Sequence, residues 1–339
     1  QPSLLADKKT EAELCFVLPE LKAGKSLKLT ATFSDQPADA AKSFAWTDTE
    51  GKFAVLGFGN QPALKYMYEA IDPSRREETY KVFHHVYDPS GERVLTKGPG
   101  GKYTHHRGVF FGFSKISYDE GKKRVDTWHC KGDAHLSHEG FLASEAGPVL
   151  GRHRAAVDWH GIGKEVFAKE QRELTVYKAP GGWLIEFASR LVPVAGPVRL
   201  DGDPQHAGFQ FRADNEVAAK TAKQTYYLRP DGKGKLGETR NWPGQKDHAD
   251  LPWNAMSFVL GEQRYTCCYL DRPSNPKEAR FSERDYGRFG SYFQYDLTEK
   301  KPLEVNYRLW IQRGEMDGEQ VGALRDNFVA PVGVQVTGG

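Results

Sequence analysis

The chain has 339 residues, 47 of them basic and 45 acidic, so its formal net charge at neutral pH is only +2. This near balance excludes a protein-wide electrostatic field that would attract nucleic acid or an anionic membrane surface. No stretch approaches the roughly 20 consecutive apolar residues of a membrane-spanning helix, so we expect neither a nucleic-acid partner nor a membrane span.

The cysteines and the first residue suggest where the protein acts. Four cysteines are too few and too scattered for a disulfide framework. Cys267 and Cys268 lie in the strand-like run QRYTCCYL, where neighbours face opposite sides, so we expect both to be buried thiols. The sequence begins with glutamine rather than methionine. We therefore expect a bacterial secreted or periplasmic protein whose signal peptide has been removed.

Short apolar runs separated by turn signals are typical of β-structure. The residues are 12% aromatic, with 35 glycines and 19 prolines spread along the chain. Alternation of apolar and polar residues predicts strands at 27–33, 52–58, 181–194, 208–214, 257–261 and 303–312. One helix is predicted in MDGEQVGALRDNF, where Asp317 can cap the first turn with Gln320 three residues later.

These elements predict an all-β protein: a large antiparallel β-sandwich with few short helices. The helical crossovers that a parallel sheet requires are missing. Residues 1–42 contain one or two strand patterns and a polar connection, and we predict that they form an N-terminal strand extension packed on the main domain. Residues 43–335 are predicted to form a single sandwich domain, because no linker divides them.

The stretch YTHHRGVFFGFS, residues 103–114, places three polar side chains before an apolar run. If the strand includes them, His105 and Arg107 share one face with Val109, whereas His106 points to the other face with Phe110. A buried neutral histidine with a satisfied hydrogen bond is the alternative for either imidazole. Three such groups in succession favour a catalytic or binding cluster.

Three more histidines occur in DTWHCKGDAHLSHEGF, residues 126–141. The spacing of His135 and His138 suits neither a strand face nor the HExxH zinc helix, and the nearby glycine and aspartate favour a loop. Together with His129, these side chains could approach a metal ion. The alternative is an exposed histidine-rich turn.

The stretch DPQHAGFQFRAD, residues 203–214, has a clear period of two. Phe209 and Phe211 are predicted to point to one side of the sheet, and His206, Gln210 and Arg212 to the other. A solvated strand face more often carries lysine, threonine and glutamate. This donor-rich strip therefore suits sugar hydroxyls, a carboxylate or a metal.

Polar and aromatic residues alternate in RPSNPKEARFSERDYGRFGSYF, residues 272–293. We predict a long loop there, with Asp285, Tyr286 and Arg288 at a binding site. The alternative is a surface loop joined by weak salt bridges.

Several of these motifs, in this order, resemble a known bacterial family. HHRG, DTWHCKG, KEQRELT, HAGFQFR, RDYGRFG and PLEVNYRLWIQ are similar to motifs of the family labelled "methane oxygenase PmoA", also described as a domain of unknown function, across residues 43–330. The resemblance implies a galactose-mutarotase-like β-supersandwich and a secreted or periplasmic role in carbohydrate use. True methane monooxygenase subunits are membrane proteins with copper sites, so the label does not suit a chain without a membrane span.

We therefore expect a carbohydrate or other small-molecule substrate, and a lyase or lyase-like glycosidase that acts on an oxidised (keto) or acidic glycoside. Elimination needs a base, a cation that stabilises the enolate, and an acid for the leaving group. The predicted catalytic residues are His105, His106, His138 and Tyr286. The predicted substrate-binding residues are Arg107, His129, Gln210, Arg212, Asp285 and Arg288. One divalent metal ion is an optional cofactor, with His106, His135 and His206 as its predicted ligands.

Other functions stay open. A sugar mutarotase or epimerase needs a similar acid and base without a leaving group. A noncatalytic glycan-binding protein would stack sugars on exposed aromatic rings, and its candidates are Trp128, Trp159, Trp242 and Trp253. A structural cell-surface protein is a third class. Hydrolysis ranks lower because no opposed carboxylate pair can be identified. Without a P-loop, GxSxG or GxGxxG motif, we expect no nucleotide, flavin or haem.

Overall fold

The computed structural model describes residues 42–335, together with the N-terminal stretches 13–18, 21–22 and 24–30 and the single residues 4 and 32. Strands dominate this part of the chain, and every strand pair is antiparallel. The prediction of an all-β antiparallel sandwich is confirmed. Neither α-helix of the described residues is long and apolar enough to cross a bilayer.

Two nine-stranded sheets and one four-stranded sheet form the fold, and strands are numbered along the chain. The first sheet has the spatial order β1 (Phe44–Thr49), β2 (Phe53–Phe58), β3 (Gln61–Met67), β4 (Phe83–Val86), β5 (Val109–Phe113), β13 (Ala207–Arg212), β20 (Arg288–Tyr292), β19 (Arg280–Arg284) and β16 (Arg240–Asn241). The second has the order β15 (Gly232–Lys233), β14 (Tyr226–Arg229), β17 (Asn254–Leu260), β18 (Gln263–Asp271), β22 (Leu303–Arg313), β11 (Gly182–Pro193), β10 (Val166–Ala179), β9 (Leu150–His160) and β8 (His135–Ala146). The third has the order β21 (Tyr295–Leu297), β12 (Val198–Asp201), β6 (Lys115–Tyr118) and β7 (Lys123–Val125).

The main core lies between the two large sheets. Phe209 of β13 packs against Phe187 of β11 with ring centroids 4.4 Å apart, and against Tyr307 of β22 at 4.6 Å. Phe111 of β5 approaches Trp159 of β9 at 6.0 Å. Since side chains alternate along a strand, the residues between these aromatics on β5 and β13 face the outer side of the first sheet.

The short helices fill the edges of the sandwich. Helix α1 (Arg76–Thr79) follows a 3₁₀ turn at Pro73–Arg75, and further 3₁₀ turns occur at Ile162–Lys164 and Ala222–Gln224, with a π-helical turn at Val217–Thr221. Helix α2 (Gly318–Val329) has the predicted capping box: the carboxylate of Asp317 accepts from the backbone N–H of Gln320, and the Gln320 side chain accepts from the Asp317 N–H. Val321 and Phe328 bury its inner face in a second apolar cluster.

The adjacent cysteines lie as predicted. The side chain of Cys267 belongs to the core between the sheets, and that of Cys268 belongs to the cluster under helix α2. Both are fully buried and free. Burial raises the pKa of the Cys268 thiol above its ordinary range, so this thiol stays protonated.

Four local predictions were wrong. His135 and His138, which were expected in a loop, lie in strand β8. His105 lies in a turn and His106 and Arg107 follow it outside any strand, because β5 begins only at Val109. The predicted loop at 272–293 contains the hairpin β19–β20. Residues 27–30 and 32 of the predicted strand 27–33 are exposed and not in a strand. The rest of that segment, and most of the predicted extension 1–42, lie outside the described residues.

One described residue of the predicted extension contacts the main domain: Glu13 forms an ion pair with Arg152 at 2.5 Å.

A buried histidine pair joins the two large sheets. The Nε2 atoms of His84 on β4 and His153 on β9 lie 3.0 Å apart, so one ring donates and the other accepts. Burial, with the nearby positive charge of Arg172 and the neighbouring His138, lowers the pKa of His153 to about 3. Burial also lowers the pKa of His84 well below its ordinary value, with His153 and Arg172 contributing.

This pair should make the fold sensitive to acid. Below the unfolded-state imidazole pKa of about 6.5, the unfolded chain binds more protons than the native chain, so the free energy of unfolding decreases as pH falls. We expect a lower urea midpoint at about pH 5 than at about pH 7.5. The variant His153→Gln should weaken this dependence. A pH dependence as steep in His153→Gln as in the unmodified chain would contradict the assignment.

Candidate functional site

Three loops carry histidines to the first sheet where β5, β13 and β20 are neighbours. The turn before β5 carries His105, the turn after β7 carries His129, and the bend before β13 carries His206. The ring centroid of His129 lies 4.3 Å from that of His105 and 5.0 Å from that of His206. One ring nitrogen from each residue can be chosen so that all three lie within 4.8 Å of one another.

Two aspartates fix two of these imidazoles. His129 Nδ1 donates to Asp126 Oδ2 at 2.7 Å, and His206 Nδ1 donates to Asp203 Oδ1 at 2.9 Å. The acceptor in each pair is a carboxylate, so the proton belongs on Nδ1 and the Nε2 lone pair is left free. His105 Nε2 is buried and has no hydrogen-bond partner among the described residues. Burial, with nearby His129 and Lys81, lowers the pKa of His105 to about 2, so its ring is neutral.

His106 lies at the centre of an aromatic enclosure. Its ring centroid is 5.3 Å from that of Tyr103, 6.0 Å from that of Trp128 and 6.1 Å from that of Tyr286. The side chain is buried, and neither ring nitrogen has a hydrogen-bond partner in the described part of the chain. Burial, together with the positive charge of Arg288, holds the pKa of His106 well below its ordinary value. The ring is therefore neutral, and no described residue uses its nitrogen lone pair.

Five buried cationic side chains surround the histidines: Lys81, Lys97, Arg107, Arg212 and Arg288. Among the residues that the structure describes, none of the five has a carboxylate within ion-pair distance, and most of their donors bind backbone carbonyls. Lys81 donates to the carbonyls of His105 and Trp128, and Lys97 to those of Gly98, Gly100 and His106. Burial lowers the pKa of Lys81 to about 7, that of Lys97 to about 8 and that of Arg212 to about 10.

Such charges are normally paired when buried, because removing an ion from water carries a large penalty. The site is therefore preorganised for a negative charge. Arg212 Nη1 donates to the carbonyls of Ala213 and Tyr286 at 2.6 Å each, while its Nε and Nη2 atoms are buried without a protein partner in the described residues. The guanidinium carbon lies 5.0 Å from the Tyr286 ring centroid.

Strand alternation positions the floor of the site. Gln210 faces away from the core, and its Oε1 accepts from Arg288 Nη1 at 3.0 Å, while Arg288 Nη2 donates to Ser282 Oγ at 2.8 Å. Gly208 has a φ of +81°, and a Cβ there would lie 2.0 Å from the Ser291 carbonyl oxygen. Only glycine therefore allows β20 to approach β13 so closely.

Most of the predicted site residues meet here. The structure brings together His105, His106, Arg107, His129, His206, Gln210, Arg212, Tyr286 and Arg288. Asp285 is half-buried and pairs with Lys223 at 3.7 Å.

Two predicted residues are placed elsewhere. His138 lies on β8, where its Nδ1 is 3.3 Å from the Tyr66 hydroxyl and its ring packs on Tyr68. His135 stacks on His160 with ring centroids 4.0 Å apart and bonds the Asp133 carbonyl. Neither residue contacts His105, His129 or His206. His106 is near them but is not one of the three residues whose nitrogens group together.

Sequence reasoning missed four residues of this site. Asp126 and Asp203 were detectable, since DTWH and DPQH repeat the same Asp-x-x-His spacing. Lys81 and Lys97 carry no local signal, because isolated lysines are normally exposed.

An open cleft of about 690 Å³ adjoins the site. Asp126, Asp133, Asp201, Lys115 and Arg199 are among its lining residues. The cleft shares Asp126 with the histidine cluster but is not lined by the three imidazoles. It is a mixed-charge surface beside the site rather than the site itself.

Residues 54–326 match the model of a family of unknown function, DUF6807. The chain belongs to this family. This match does not test the resemblance to the family labelled "methane oxygenase PmoA", which stays a prediction. A search of curated proteins finds no match.

Three solved structures are weakly similar to this DUF6807 protein. The galactosidase domain of the α-galactosidase–sucrose kinase AgaSK is 10% identical with a TM-score of 0.42, covering 83% of this chain and 43% of that one. A candidate mutarotase, YeaD, from Salmonella typhimurium is 8% identical with a TM-score of 0.32, covering 82% and 96%. A galactose mutarotase related enzyme from Lactobacillus acidophilus is 8% identical with a TM-score of 0.31, covering 69% and 95%. The chain thus spans less than half of the AgaSK chain, and similarities this weak carry no argument about function.

Proposed function

We propose that this protein is a carbohydrate-active lyase that acts on an acidic glycoside, or on one oxidised to a ketone, by proton abstraction and elimination. The observation that carries the proposal is the group of five buried basic side chains without carboxylate partners in the described residues, placed around an unpartnered imidazole. A substrate with a carboxylate or a developing enolate would supply the missing negative charge. A sugar with neither a carboxylate nor a carbonyl group that can form an enolate would not.

The residues suit each part of such a reaction. His106 would accept the proton from the carbon next to the carbonyl or carboxylate, and Arg212 would hold the negative charge that develops on oxygen. Collapse of the enolate then breaks the bond between the neighbouring carbon and the glycosidic oxygen. Tyr286, whose hydroxyl lies 3.4 Å from Arg288 Nε, would protonate the departing oxygen. The products are an unsaturated sugar acid or ketone and an alcohol.

Hydrolysis and simple glycan binding fit this site less well. Hydrolysis by a carboxylate pair needs two opposed acids, but Asp126 and Asp203 each bond a histidine. A glycan-binding surface needs exposed rings, but Trp128, Trp159 and Trp253 are buried. Trp242 is half-buried and already stacks on Arg280 with 4.2 Å between the ring centroid and the guanidinium carbon.

An assay with three substrate classes tests the proposal. Uronides, keto-glycosides and neutral glycosides are incubated separately with the protein, and the unsaturated product is followed by its ultraviolet absorbance and by NMR. We expect product from the uronides or keto-glycosides and none from the neutral glycosides. Exchange of anomers without an unsaturated product would instead support a mutarotase. No product from any class, with correctly folded protein, would overturn the proposed function.

A further inference from the structure

We propose that His105, His129 and His206 bind one divalent transition-metal ion, with Zn²⁺ the best match, through their three imidazoles. The binding itself does not depend on the proposed function, although any catalytic use of the ion rests on it. Three histidine ligands with a fourth position open are typical of catalytic zinc sites rather than structural ones.

The carboxylate partners are the strongest support. Metal-binding histidines almost always donate their second ring N–H to a carboxylate, a carbonyl or water, which fixes the tautomer and the ring orientation. His129 and His206 both make this bond, to Asp126 and Asp203. Their Nε2 atoms are therefore the free ligand atoms.

Each carboxylate is also fixed by its own turn. Asp126 Oδ1 accepts from the backbone N–H groups of Trp128 at 2.9 Å and His129 at 2.8 Å. Asp203 Oδ1 accepts from the backbone N–H of Gln205 at 2.9 Å. Two turns that are 77 residues apart in the sequence thus use the same Asp-x-x-His design and deliver their imidazoles to one point.

The third ligand completes the set. His105 Nε2 is buried with no partner among the described residues, although a buried ring nitrogen is normally satisfied. In a tetrahedral zinc site the ligand nitrogens lie roughly 3.4 Å apart, and one nitrogen of each ring can already be chosen so that the three lie within 4.8 Å of one another. The three rings therefore need only small movements and rotations to coordinate one ion. Side-chain rotation of His105, which no carboxylate fixes, can supply part of that movement.

The chemistry of the donors selects the class of ion. Imidazole suits Zn²⁺, Cu²⁺, Fe²⁺ and Ni²⁺, whereas Ca²⁺ and Mg²⁺ prefer oxygen ligands. The two aspartates carry two negative charges that balance a divalent ion. This balance matters because the basic Lys81 side chain lies close to the site, where it donates to the His105 carbonyl. If the proposed lyase reaction holds, an ion here would act as a Lewis acid on the substrate oxygen beside His106.

The test measures binding rather than activity. The purified chain is stripped with a chelator, reloaded with Zn²⁺ or Co²⁺, and analysed by elemental mass spectrometry, isothermal titration calorimetry and the visible spectrum of bound Co²⁺. We expect about one ion per chain and a low-coordinate Co²⁺ spectrum. The variant His129→Ala should lose at least about 100-fold in Zn²⁺ affinity, because one of three ligands is removed.

Asp126→Asn provides the sharper variant. Asparagine keeps an oxygen for the turn N–H groups, but its amide donates to His129 Nδ1 and moves the ring proton to Nε2, which removes the lone pair that binds the ion. We expect a loss of roughly 10- to 100-fold in affinity with unchanged circular dichroism. His160→Ala, which changes a histidine outside the site, should bind as the unmodified chain does.

Substoichiometric Zn²⁺ in the unmodified chain, or full binding by both His129→Ala and Asp126→Asn, would overturn the metal site. The outcomes separate it from the proposed function. Stoichiometric binding without turnover on any glycoside would support the metal site and contradict the lyase, whereas turnover by a chain that binds no Zn²⁺ when reloaded would support the lyase and contradict the metal site.

Discussion

Replacing His106 with alanine is expected to lower kcat for an acidic glycoside by about 10²- to 10⁴-fold, the range that a positioned general acid or base contributes. The ring is buried between Tyr103, Trp128 and Tyr286, and neither of its nitrogens bonds another described residue. Its removal therefore breaks no hydrogen bond within the described protein. Substrate affinity should change only a few-fold, because the anion-binding groups stay in place.

Steady-state kinetics and calorimetric binding on the same variant check this expectation. His160→Ala is the matched control, since it removes an imidazole from β9 that stacks on His135 and does not contact the site. If the protein only binds glycans, the His106 variant should lose affinity, and neither the variant nor the unmodified protein should show turnover. Turnover by the His106 variant within a few-fold of the unmodified protein would contradict the role of this residue as the base.

The largest expected effect on stability comes from the buried ion pair on β10. Glu170 and Arg172 are both buried, and the Glu170 carboxylate accepts from Arg172 at 2.8 Å and 2.9 Å, from Trp159 Nε1 at 2.8 Å and from Ser189 Oγ at 2.8 Å. Glu170→Ala leaves the guanidinium buried, with one long bond of 3.4 Å to the Val82 carbonyl. Breaking a buried pair in this way costs about 3–5 kcal/mol.

Urea unfolding of Glu170→Ala measures this loss directly. Glu304→Ala is the control, because Glu304 pairs with Arg190 at 3.1 Å on the surface, where such pairs contribute about 0–1 kcal/mol. A Glu170 variant as stable as the Glu304 variant would show that the buried pair does not stabilise the sandwich.

The fold was predictable because its strands follow a period of two. Phe209 and Phe211 alternate with Gln210 and Arg212, and this pattern alone predicts which face meets the core. The hairpin β19–β20 was missed for a physical reason. Its charged residues, such as Glu283 and Arg288, are buried and paired or hydrogen-bonded within the sheets, whereas a sequence with so many charges usually indicates a solvated loop.

The sequence predicted most of the histidines and arginines of the site, but not all of its residues. His105, His106, His206 and Arg212 meet as expected, although the strand order that brings them together cannot be read from one sequence. His138 was misplaced because β8 carries its side chain to Tyr66 on β3 and to Tyr68 just after it, whereas the site lies over β5, β13 and β20. The buried lysines were not found because their surroundings come from distant segments. The secreted or periplasmic location and the division at residue 42 stay predictions.

The central claim is that the buried cations bind an anionic sugar, and calorimetric titration with glucuronate and with glucose tests it most directly. We predict that glucuronate binds, that glucose binds at least about tenfold more weakly, and that Arg212→Met reduces the affinity for glucuronate by about 30-fold or more, as expected for loss of a buried charge contact. Equal affinity for the two sugars, or glucuronate binding that is unaffected by Arg212→Met, would contradict the account.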